Sequence, residues 1–148
     1  MRVSIRSFYR GAHQLGRRQL LFLGSLAGGH FVVHWYMGIL SLVLPSLKSD
    51  LHLTDVQVGT ITAAQTGVNG VTTMPSGYLA DTYRKQGSLI LAAAILTFGL
   101  AYFLMGNTGS YAGALIGAGL LGLGIALWHP GATGSLSLRF PDRRGFAL

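Results

Sequence analysis

Apolar residues in this chain come in long unbroken blocks, unlike the short alternations of a soluble helix or strand. No Asp, Glu, Lys or Arg occurs between Leu20 and Leu44, Val58 and Ala80, Ser88 and Met105, or Tyr111 and Leu138. At about 1.5 Å per residue as a helix, each block is of the order of the 30 Å hydrocarbon core of a bilayer. The pattern predicts an all-α polytopic membrane bundle with four transmembrane helices at about 20–45, 56–80, 88–105 and 111–138. The breaks carry turn chemistry. Leu44-Pro45 closes the first block before the polar stretch Lys48 to Asp55, where Thr54 or Asp55 can cap the next helix. Pro75 is placed to bend the end of the second, and Gly106-Asn107-Thr108-Gly109-Ser110 forms an uncharged connector after the third. His129-Pro130-Gly131 interrupts the fourth.

Between the second and third blocks lies one charged island, Gly77-Tyr78-Leu79-Ala80-Asp81-Thr82-Tyr83-Arg84-Lys85-Gln86-Gly87. A carboxylate followed at i+3 and i+4 by two cations requires water or another protein surface, so this island is read as a tight turn and anchors the topology.

Composition agrees with a membrane solvent. Half of the 148 residues are hydrophobic, only 10% are charged, and 22 are glycine. There is no cysteine, which excludes a disulfide framework, a thiolate metal site and a thiol nucleophile. The formal net charge of +7 does not indicate nucleic acid, because the cations flank apolar blocks instead of lining one amphipathic face. With the N-terminus inside, ten of the eleven Lys and Arg residues fall on the cytoplasmic side and only Lys48 outside. This count predicts a cytoplasmic tail at 1–19, four spans, and a cytoplasmic loop at 139–148. Arg143-Arg144-Gly145-Phe146-Ala147-Leu148 then reads as the approach to a missing fifth span, so the chain is expected to be a fragment that does not transport alone.

At 100° per residue, Ala27, His30, His34, Gly38 and Ser41 share one face of the first span, and Thr62, Gln65, Asn69, Thr72 and Ser76 one face of the second. Ala118, Gly122, Ala126, His129 and Thr133 align on the fourth, whereas the third offers Thr97 and little else. Polar groups at membrane depth face a bundle interior or a water-filled route. His30, His34, Gln65, Asn69 and His129 are therefore the candidates for a solute cavity. Interhelical hydrogen bonding is the competing role, favoured for Gln65 and Asn69 and evenly weighed for the histidines. His30 and His129 lie at similar depth, roughly 15 Å from the cytoplasmic side, and can face one another if spans one and four are neighbours. Gly24-x-x-x-Gly28 and Gly113-x-x-x-Gly117 are read as close helix packing.

The island resembles the signature turn of the major facilitator superfamily, with Gly77, Leu79, Asp81, Arg84 and Lys85 carrying the likeness. It departs at Thr82, where an Arg is common, and in lacking a Gly ahead of the basic pair. Gly29-His30, the run Leu44-Pro45-x-Leu47-Lys48-Ser49-Asp50-Leu51-His52-Leu53 into Gln57-Val58-Gly59, and Trp128-His129-Pro130 resemble the fosmidomycin-resistance branch of antiporters within it. The arginine that many drug antiporters carry inside span four is absent, so an arginine-based coupling scheme is not implied.

The resemblance implies the N-terminal part of a twelve-span secondary transporter, not an enzyme, moving a small drug-like solute by proton antiport and alternating access. It also implies a conformational latch at Asp81, spans one and four lining the cavity, and span three outside. A cavity with histidines and no acids favours anionic or neutral solutes. The expected partners are that solute, the lipid bilayer and the remaining C-terminal portion of the same transporter, with no nucleic acid and no cofactor or metal. The expected location is a bacterial inner membrane. Two rivals stay open: a small four-helix membrane protein holding haem or metal through His30, His34 and His129, and a membrane scaffold subunit.

Overall fold

The computed structural model describes residues 16–140. The expected N-terminal tail, apart from its last residues, and the expected loop beyond Phe140 lie outside them. Four long helices follow one another: α1 (Arg17–Asp50), α2 (Asp55–Thr82), α3 (Gly87–Asn107) and α4 (Tyr111–Arg139). A single 3-10 turn, Arg84–Gln86, sits between α2 and α3. Among the described residues every regular element is helical.

Three stretches, Arg17–Asp50, Arg84–Asn107 and Tyr111–Arg139, are long and apolar enough to cross a bilayer. Helix α2 has the length but not the hydropathy, because six of its residues are threonine. Five of them, Thr60, Thr62, Thr66, Thr72 and Thr73, turn their hydroxyls back to the carbonyls four residues earlier. A polar sequence thus satisfies itself within one helix, which is what burial away from water requires.

The first helix differs from the sequence expectation at its end. It runs through Pro45 to Asp50, so the stretch Lys48–Asp50 is helical, not loop. Proline removes one amide donor without abolishing the other helical bonds, and a helix continued on both sides tolerates that loss. The stop comes at Leu51, through a doubly bonded terminus: Leu53 N donates to Lys48 O at 2.9 Å and His52 N to Ser49 O at 3.3 Å. His52 holds the left-handed conformation, φ 51°, where glycine is usual. Of the two candidate caps for α2, the structure uses Thr54. Its hydroxyl accepts from Gln57 N at 3.3 Å and its amide donates to Gln57 Oε1 at 2.9 Å. Asp55 instead pairs with Lys48 across the corner. Ser110 caps α4 through Gly113 N at 3.2 Å.

Helix α4 is the centre of the bundle, packed along its length against α2 on one side and α3 on the other. In lipid, helix association rests on van der Waals contact and close backbone approach, not on expulsion of water. The glycines of α4 supply that approach. A Cβ on Gly122 would overlap Gln65 O of α2 and come within 2.9 Å of Asn69 N, and one on Gly124 would lie 3.2 Å from Ala94 O of α3. Gly117 meets Ala101 O and the Met105 side chain in the same way. Gly24 and Gly28, by contrast, have nothing near them, so that small-residue pattern packs no helix among the described residues.

Helix α1 joins through side chains. Val33, Leu40 and Leu47 share one buried cluster with Ala94, Phe98, Ala101, Met105, Leu121, Ile125 and Trp128. The Tyr36 ring stacks on Phe98 at 5.6 Å and on Tyr102 at 5.5 Å, while Tyr102 donates its hydroxyl to Tyr36 O. A second cluster, Leu53, Ile61, Ala114 and Ala118, fastens the α1–α2 corner to the start of α4.

Candidate functional site

The residues that matter most are fixed by one close contact. At Gly29 of α1 a side chain would overlap the six-membered ring of Trp128, which is 3% exposed in the interior of α4. Only a glycine lets the Cη2 edge of the indole come this close to the α1 backbone. The next residue on each helix is a histidine, so this contact brings His30 beside His129. The ring centroids are 5.7 Å apart for His30 and His129, 6.2 Å for His34 and His129, and 4.5 Å for His30 and His34. Nitrogens of the three imidazoles, one from each, all lie within 4.8 Å of one another. His30 and His34 are exposed on this piece of the bundle.

His129 has a defined tautomer. Its Nδ1 lies 3.0 Å from Ile125 O, one turn back. A carbonyl only accepts, so Nδ1 carries the proton and Nε2 presents a lone pair.

Gln65 and Asn69 are placed differently. Both are half-buried on α2, where their backbone abuts Gly122. The Asn69 carboxamide oxygen accepts from Thr73 of its own helix at 3.3 Å. Among the described residues no hydrogen bond joins Gln65 or Asn69 to the histidines. The aligned face of α4 therefore divides: Ala118, Gly122 and Ala126 are buried in packing, and His129 meets α1. Wheel arithmetic groups these residues but does not say which neighbour each one meets.

At the other end of α2, Arg84 Nη2 lies 3.1 Å from Asp81 Oδ1, and Arg84 Nε donates to Asp81 O at 3.1 Å. The turn thus folds its own cation onto its own carboxylate. Gly77, Asp81 and Arg84 line a cavity of about 350 Å³ together with Pro130, Thr133 and Ser137 of α4. Leu79 and Lys85 are exposed beside it. Both ion-pair side chains are more than half exposed, so the pair itself stabilises by no more than about 1 kcal/mol. A second cavity, about 380 Å³ and largely apolar, lies between α1, α3 and α4 beside Trp128.

Compared with known protein families, residues 26–148 match the Major Facilitator Superfamily. The chain belongs to that superfamily. It is an integral membrane protein of a family whose members are transporters carrying small-molecule solutes. Among curated proteins it is similar to the Fosmidomycin resistance protein of Escherichia coli (strain K12), 26% identical over 125 residues. That alignment covers 84% of this chain and 30% of the relative, so the chain spans under a third of the relative's length. No solved structure matches it.

Proposed function

We propose that these helices supply the first four spans of a twelve-span secondary transporter in a bacterial inner membrane, with the N-terminus cytoplasmic, exporting a small anionic or neutral solute in exchange for protons. Superfamily membership supports a transporter, and the relative's name supports drug export. The observation that carries the reading is the meeting of His30, His34 and His129, from the first and last helices, on an exposed face. Polar side chains at that depth are unsuited to lipid, so the face is assigned to the solute route, with Gln65 and Asn69 as further lining candidates.

In this reading Asp81 is the latch. A carboxylate at a helix C-terminus opposes the helix dipole by about 0.3–1 kcal/mol. Arg84 offsets that within the turn, and the exposed remainder of the carboxylate is free to meet a helix terminus of the second half in one access state. Alternating access then follows from rocking one half on the other. The test is export of fosmidomycin by the full-length protein in inside-out vesicles under an imposed pH gradient. Accumulation that collapses with the gradient is expected; none above empty vesicles, or one indifferent to the gradient, would overturn drug export or proton coupling respectively.

A further inference from the structure

The three imidazoles do more than share a polar face, because their donor atoms converge. We infer that His30, His34 and His129 form a tridentate site for a divalent transition-metal ion of the zinc, nickel, cobalt and copper class. The inference goes beyond the transport reading and does not depend on it, since it concerns binding alone.

Four observations carry it. The spacing of His30 and His34 is one helical turn, which sets two imidazoles on one side of α1, and α4 brings the third across to them. The donor atoms lie within 4.8 Å of one another. A tetrahedral ion with nitrogen bonds of 2.0–2.1 Å needs them about 3.4 Å apart, so the widest pair must close by about 1.4 Å. His30 and His34 are exposed on α1, so the closure is assigned to rotation of their side chains. The carbonyl of Ile125 holds the His129 ring by its Nδ1 proton, leaving Nε2 as the free donor. A backbone carbonyl in that position is the usual means of orienting a metal-binding imidazole. Finally, no hydrogen bond among the described residues links the three rings to each other, so their lone pairs are not spent on one another.

The donor set also selects the ion. Three neutral imidazoles suit zinc, copper and nickel, whereas magnesium and calcium require oxygen donors that this cluster lacks. Three protein donors leave a fourth position open, as in sites that admit an outside ligand. The bound ion would keep its full positive charge, since no carboxylate is in the set, and would draw an anionic donor to that position.

The test uses the full protein, untagged, in detergent micelles. Zinc is titrated in competition with a chromogenic chelator, with helical content followed by circular dichroism. One zinc per chain is expected, undisturbed by excess magnesium. Replacing a group that merely orients a ligand typically costs about 10- to 100-fold in affinity, so His30→Gln, His34→Gln and His129→Gln are each expected to cost at least that much. His52→Gln, at the α1–α2 corner, is expected to leave the affinity unchanged. Absence of stoichiometric zinc binding to the unaltered protein overturns the inference, as do three variants that bind as tightly as it does. Should a variant lose its helical signal, the copper-loaded unaltered protein decides: hyperfine coupling to three imidazole nitrogens supports the site, and coupling to fewer overturns it. Zinc binding without export would leave this site standing and refute the transport reading; export without zinc binding would do the reverse.

Discussion

Gly29→Ala isolates the contact on which the histidine cluster depends. The added methyl would overlap the Trp128 ring at Cη2, with Cζ2 at 2.8 Å and Cζ3 at 3.2 Å. Trp128 is 3% exposed and shares a buried cluster with Val33, Phe98, Leu121 and Ile125, so retreat into the cavity beside it would pull the ring out of that packing. Overpacking of this kind costs about 1–3 kcal/mol. Exchanging glycine for alanine inside a helix returns up to about 1 kcal/mol. Taking the middle of each range, the net destabilisation is about 1 kcal/mol, a change of roughly fivefold in the folded-to-unfolded ratio. Gly28→Ala is the matched control. It lies one residue away with nothing within 4 Å of the added atom, so it is expected to be neutral or slightly stabilising. The assay is reversible unfolding in mixed micelles, read by Trp128 emission in a Trp35→Phe background, which leaves one tryptophan of the two. A Gly29→Ala protein as stable as Gly28→Ala, with unchanged emission, would refute the claim that this glycine sets the α1–α4 approach.

Two further outcomes follow from the same contacts. Asp81→Asn removes an exposed pair worth no more than about 1 kcal/mol, so unfolding should barely move while the export rate and the distribution of access states change; unaltered export in the full-length protein would end the latch assignment. His52→Gly relieves a left-handed residue that costs about 1–2 kcal/mol in any residue with a Cβ, offset in part by the freedom glycine adds to the unfolded chain, so a net gain of about 0.5–1 kcal/mol is expected in thermal unfolding.

Charge-free blocks locate the helices well, because lipid tolerates few alternatives to a helix with all its backbone bonds satisfied. The helices α2, α3 and α4 begin and end within two residues of the expected blocks. Helix α1 is the exception, since Pro45 is only a missing donor there and not a stop. Periodicity also placed His30 and His34 on one face and His129 in line with Gly122. It could not say that Gly122 would meet the α2 backbone while His129 would meet α1, because a wheel describes one helix and not its neighbours. For the same reason Gly24 and Gly28 carry a packing pattern but face open space, whereas Gly29, outside that pattern, meets an indole 99 residues away in the sequence. Gly29-His30 and Trp128-His129 held the signal: two bulky-against-small neighbours, each preceding a histidine.

The central claim is that the histidine face meets water inside a membrane protein. These 148 residues hold no cysteine, so each introduced thiol is unique among them, and any cysteine elsewhere in the full-length protein is first replaced by serine. Single cysteines are placed at 30, 34 and 129, and at Leu96 and Phe103, which are exposed on α3, in the full-length protein in membrane vesicles, and reacted with a water-soluble maleimide. Rapid labelling at the three histidine positions with protection at 96 and 103 is predicted; protection at 30, 34 and 129 equal to that at 96 and 103 would put the histidines in lipid and contradict the account.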